Sequence, residues 1–128
     1  MGGQRAASTQ LQRAHIVAAS VRYNELVKEY QGLTKTNPKK AGTMVKALQT
    51  SCADLIKQHD LYITALEGEG TIQKDMAGVA TALKAKDPSW ADAEAASQRA
   101  VTNNEALITK AREKRADDQK ICPKVSYK

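Results

Sequence analysis

Residues 41–67 read AGTMVKALQTSCADLIKQHDLYITALE, and this stretch decides the fold. Ala41, Val45, Leu48, Cys52, Leu55, His59, Tyr62 and Leu66 follow one another at alternating spacings of four and three. That is the heptad a/d pattern of a helix packed along its length. Met44, Ile56 and Ile63 widen the seam beyond a two-stranded contact, so the stretch reads as a bundle helix. Upstream, Asn37-Pro38 offers a capping side chain followed by a residue pre-set for the first helical turn, which predicts a helix over 38–67.

Working outward, a first helix is expected over 8–31, with Ser8 or Thr9 as its cap and Gly32 as its stop. It carries two apolar lines. One runs through Leu11, Ala14, Ala18 and Val21, the other through Ile16, Ala19, Tyr23, Leu26, Tyr30 and Leu33. Downstream, Gly68-Glu69-Gly70 reads as a tight connector between antiparallel helices. A third helix is expected over 71–86, with the seam Ile72, Met76, Val79 and Leu83. Asp87-Pro88 repeats the cap-and-proline device and opens a fourth helix over 88–120. Proline could instead kink one longer helix, but a break is the preferred reading. The fourth helix has a weak seam of Trp90, Ala93, Ser97, Val101, Asn104, Ile108 and Ala111. Beyond Ala111 the run REKRADDQK has no large apolar residue, so it should be a solvated extension or lie on a partner. Nothing alternates like a strand over more than a few residues. The expectation is an all-α, antiparallel bundle of three to four helices forming one domain, with tails at 1–7 and 122–128.

Composition sharpens this. Leu, Ile and Val number 22 in 128 residues, Phe is absent, and alanine supplies 21. Alanine favours helix but buries little area, so the core is thin. A thin core is often completed by a partner. The face expected to take one is the second apolar line of the first helix, at Ile16, Tyr23, Leu26 and Tyr30. No window approaches a membrane span, and the N-terminus MGGQRAASTQ lacks the apolar centre of an export signal. It comes near the myristoylation pattern, but Ala6 stands where Ser or Thr is wanted. A cytoplasmic setting, or one inside a virion or other large intracellular assembly, is therefore expected.

The net charge of +6 is unevenly placed. Residues 1–40 carry seven Lys or Arg against two acids, while the remainder is nearly balanced. Arg5, Arg13, Arg22, Lys35, Lys39 and Lys40 are candidate contacts to phosphate backbones, a sequence-independent form of nucleic-acid binding. Lys110, Arg112, Lys114 and Arg115 form a second group, diluted by Glu113, Asp117 and Asp118. The only aromatic residues are Trp90 and four tyrosines, so base stacking is disfavoured.

Catalytic signatures are missing: no HExxH, no CxxC, no phosphate-cradling glycine loop and no nucleophile elbow. The Glu-x-x-His pairs of di-iron bundles are also missing, since Gln12 and Ile56 stand at that offset from His15 and His59. No metal or cofactor is expected, and no enzymatic activity. His59 lies on the apolar seam and reads as a core-edge histidine bonded to a neighbouring helix, with a ligand or pH-switch role as the sharper alternative. Cys52 and Cys122 read as two reduced thiols. A disulfide between them is the sharper alternative and would imply an oxidising compartment. The function expected is a non-enzymatic structural or scaffolding subunit that packs against itself or another helical protein. The alternative is a nucleic-acid-coating protein, as in a filament or capsid. An enzyme or cofactor carrier and a disulfide-stapled secreted bundle stand behind these.

Overall fold

The computed structural model describes the backbone of residues 2–126 and the side chains of residues 9–122. The expected all-α bundle is what forms, and no strand occurs among the described residues. Helix α1 spans Gly2–Thr36, the short α2 Pro38–Thr43, α3 Val45–Lys86 and α4 Ala91–Ser126, with a single 3-10 turn at Pro88–Trp90 before α4. At about 1.5 Å per residue α3 is about 63 Å long, and it is the spine. Both α1 and α4 pack on it, antiparallel, as pairs such as Arg22–Asp54 and Lys84–Glu94 require.

The two cap-and-proline restarts are real, and each works by the same chemistry. The Asn37 side chain accepts the Lys40 N–H at 3.2 Å, and the Asp87 side chain accepts the Ser89 N–H at 3.0 Å. Asp87 is extended (φ −146°, ψ 108°), so the chain breaks there and does not merely kink. That bond from the Ser89 backbone holds the Asp87 carboxyl below its usual range.

The glycines are a different matter, and other boundaries are corrected as well: the helix expected over 38–67 is interrupted at Met44, where α2 ends and α3 starts. Gly32 does not stop α1, which runs on to Thr36 and brings Leu33 against the core. Gly68-Glu69-Gly70 is no connector: residues 45–86 form one helix, and no glycine among the described residues has positive φ. The expected hairpin between a second and a third helix is therefore absent. Helical continuity costs only about 1 kcal/mol per glycine, and packing against both neighbours outweighs that. Finally, α4 passes through Cys122-Pro123 to Ser126 instead of ending near 120. At the other end α1 begins at Gly2 and not near residue 8, so Ser8 and Thr9 lie inside the helix and neither caps it.

The core has two centres. Near the α1–α3 connection, Tyr23, Tyr30, Ala41, Leu48 and Cys122 are buried together, with Leu26, Val27, Leu33, Met44, Val45 and Cys52 around them. Farther along, Ile63, Leu66 and Ala111 form the second, with Tyr62 and Ile108. The heptad seam of α3 holds through Leu48, Leu55 and His59. It then steps four residues to Ile63 before Leu66, so Tyr62 is only half-buried. Such an extra four-residue step lets one helix re-aim its buried face between neighbours.

Candidate interaction surfaces

The polar end of α4 is anchored to α3, not loose. Cys52 and Cys122 form a disulfide with Cα atoms 5.8 Å apart, which overturns the expectation of two reduced thiols. His59, 2% exposed, lies 2.7 Å from an Asp118 carboxylate oxygen through Nε2. Arg115 reaches Asp60 at 2.6 Å and Arg112 reaches Glu67 at 3.3 Å. The run REKRADDQK thus lies along α3 of the same chain, with its outer side chains in solvent. Charged rungs, a buried histidine and a covalent bond do the holding that apolar residues do elsewhere. His59 takes the expected role of a core histidine bonded across helices. Among the described residues no group of three or more His, Cys, Asp or Glu could hold a metal ion.

Midway along the hairpin, Asn104 is 3% exposed and donates from Nδ2 to the Leu66 carbonyl at 2.9 Å. The contact needs Gly70. A Cβ there would lie 2.6 Å from Asn104 Nδ2, so this glycine admits the neighbouring helix and does not end its own. Beyond Gly70 the packing thins. The α3 line Gly70, Gln73, Ala77 and Ala80 is buried or half-buried, and α4 brings Ala93, Ser97, Ala100 and Val101 to its half-buried side. Small residues close this part of the hairpin.

The line beside it is left open. Met76 and Val79 are each 59% exposed and Trp90 is 40% exposed. With Ile72, Leu83 and Ala93 they line an apolar groove of about 400 Å³. Sequence reasoning took Ile72, Met76, Val79 and Leu83 for a core seam. The spacing holds and the burial does not: Ile72 and Leu83 are half-buried, while Met76 and Val79 are exposed.

The expected partner face also moves. Tyr23 and Tyr30 are each 3% exposed and sit inside the chain's own core, Leu26 packs against that core, and Ile16 is half-buried. The Tyr23 hydroxyl is buried with no hydrogen-bond partner, and burial raises its pKa. The outward face of α1 is the other line, with Leu11 and Val21 at 57% and 50% exposure, and Val17 beside it at 62%.

The candidate phosphate contacts separate into two groups. Arg22 pairs with Asp54 at 3.0 Å, Arg13 is exposed nine residues earlier on α1, and the Arg5 side chain lies outside the described residues. Lys35, Lys39 and Lys40 are exposed at the α1–α2 turn, and exposed Lys46 follows at the start of α3. No acid occurs between Glu29 and Asp54, and none of these four lysines enters the ion pairs found among the described residues. At the opposite end Lys84 bonds Glu94 at 3.0 Å. That bond, with one from Thr81, holds the Glu94 carboxyl below its usual range. No helix among the described residues is long and apolar enough to cross a membrane.

No family model matches this chain, and neither does any curated protein or solved structure.

Proposed function

We propose that this chain is a non-catalytic assembly subunit, a disulfide-stapled helical rod that presents helix faces to itself or to another helical protein. The observation that carries the reading is the open apolar groove at Met76, Val79, Leu83 and Trp90. It occupies heptad positions that are buried elsewhere on the same helix, and leaving them in water forgoes roughly 25 cal/mol per Å² of apolar surface. The disulfide favours an oxidising compartment over the cytoplasmic setting inferred from the sequence, because such bonds are rare where thiols are kept reduced. Sedimentation of the pure chain from roughly micromolar to millimolar concentration, paired with capture from its native extract, tests the reading. Concentration-dependent mass, or one stoichiometric partner, is expected. A chain that remains a monomer and retains nothing refutes it.

A second reading has its own observation, the acid-free cluster of Lys35, Lys39, Lys40 and Lys46 at the closed end of the rod. It suits a polyanion, nucleic acid included, contacted through backbone charge alone. Reversing Lys35, Lys39 and Lys40 to Glu should weaken binding to generic DNA or RNA and flatten its salt dependence. Affinity indifferent to both the reversal and the salt removes this reading.

A further inference from the structure

The open groove is the unfilled continuation of the seat in which α1 lies. On the side where Leu48 meets Tyr23 and Tyr30, and Ser51 lies beside Arg22 and Leu26, α3 presents two lines that repeat every seven residues. Leu48, Leu55, Tyr62, Glu69, Met76 and Leu83 make one, and Ser51, Gln58, Ala65, Ile72, Val79 and Lys86 make the other. Leu48 and Leu55 are 0% and 3% exposed, whereas Met76 and Val79 reach 59%. The antiparallel register set by Arg22–Asp54 explains the change. Counting twenty residues back along α1 and forward along α3 puts the first turn of α1 abreast of about residue 74. Past that point no third helix among the described residues lies over the same positions of α3.

The geometry points to a second copy of this chain as the occupant, with the two hairpin tips overlapping antiparallel about a two-fold axis near residue 81 of α3. This rests on the assembly reading above and names its partner and register. Three features favour it. The seat is continuous with the α1–α3 interface and has the same heptad phase, so it accepts another helix in the same packing mode. A tip ends at the Asp87–Trp90 turn, so a second tip laid antiparallel reaches about residue 75 of α3 and stays clear of the described part of α1. From Met76 to Lys86 the overlap is about 15 Å.

The third feature is self-complementarity of sequence. With the axis near residue 81, Val79 lies opposite Leu83 of the second copy, and Leu83 opposite its Val79. Asp75 and Lys86 fall on the same flank of the seam, eleven residues or about three turns apart. In the same register Asp75 of each copy therefore faces Lys86 of the other, giving two opposite-charge pairs. Met76 falls on the other flank, toward the Trp90 ring of the second copy, a sulfur–aromatic contact. An isologous interface demands this reciprocity, in which residue i meets j and j meets i.

The test uses the whole chain, with sedimentation read beside circular dichroism. Wild type is expected to dimerise with roughly micromolar affinity, as suits a small contact. Val79→Asp should abolish the dimer and leave helix content and monomer melting intact, because Val79 is exposed in the monomer. Asp75→Lys and Lys86→Glu should each weaken dimerisation several-fold, and the double reversal should restore it. A wild-type chain that is monomeric at millimolar concentration overturns the inference. A dimer that survives Val79→Asp also overturns it, while leaving the assembly reading standing on another face. A double reversal no tighter than its singles refutes the two-fold register.

Discussion

The two ends of α3 carry the same heptad pattern and lead different lives. At the closed end, residues 45–66 are enclosed by α1 on one side and α4 on the other, with Leu48, Leu55 and Leu66 at 3% exposure or less. At the open end, residues 72–86 meet α4 through small side chains while Met76 and Val79 face water. The difference shows that spacing identifies which residues share a face, and whether a neighbouring helix lies alongside decides whether that face is covered. The closed end supplies stability. The open end has apolar surface to spare, and the proposed contact uses it.

Three measurements test that contrast, and the disulfide carries the largest expected effect. Cys52–Cys122 closes a separation of 70 residues and pins α4 to the closed half. In the chain-entropy account a loop of that length is worth about 4 kcal/mol, through restriction of the unfolded chain. Cys52→Ser, compared with wild type under non-reducing denaturant unfolding, should lose stability of that order. A loss under about 1 kcal/mol would mean that the ion pairs and the His59–Asp118 bond hold α4 unaided.

Next comes a pair of truncations at one heptad position. Leu48→Ala should cost about 3 kcal/mol, since a fully buried leucine leaves a cavity. Met76→Ala lies four heptads on along the same line. At concentrations where the chain is monomeric it should change stability by less than about 0.5 kcal/mol. Equal costs at the two sites would erase the distinction between the ends.

The same contrast explains what was legible in the sequence. Helical class, the seam through residues 41–66 and both proline restarts were readable, because periodicity and capping are local properties. The cover over each seam was not. Tyr23 and Tyr30 read as a partner face because α1 has two apolar lines and nothing local says which turns inward. Met76 and Val79 read as core because their spacing matches that of residues further back. Arg115, Asp118 and Cys122 read as an unsupported extension, since their partners Asp60, His59 and Cys52 lie 55 or more residues away. The basic cluster at Lys35, Lys39 and Lys40 was visible from composition, whereas the groove at Trp90 exists only once α3 and α4 are laid side by side.

The finest test uses two glycines of α3 that look alike in sequence. Alanine exceeds glycine in helix propensity by about 1 kcal/mol, so Gly→Ala in a helix interior should stabilise wherever the new methyl finds room. Gly78 has nothing within 4 Å of the place its Cβ would take, and Gly78→Ala should stabilise by up to about 1 kcal/mol. At Gly70 the methyl would meet Asn104 Nδ2 at 2.6 Å, and Asn104 is buried by the bond it gives to the Leu66 carbonyl. Displacing it strands a buried amide, at about 1 to 3 kcal/mol, which outweighs the gain in propensity. Gly70→Ala should therefore destabilise by about 1 kcal/mol, and Gly70→Ala with Asn104→Ala should recover much of that, since the obstructing amide is gone. If both glycines respond as propensity alone dictates, the close approach at Gly70 is not what sets the spacing of α3 and α4. The boundary between the enclosed and the open half would then have to lie elsewhere along the helix.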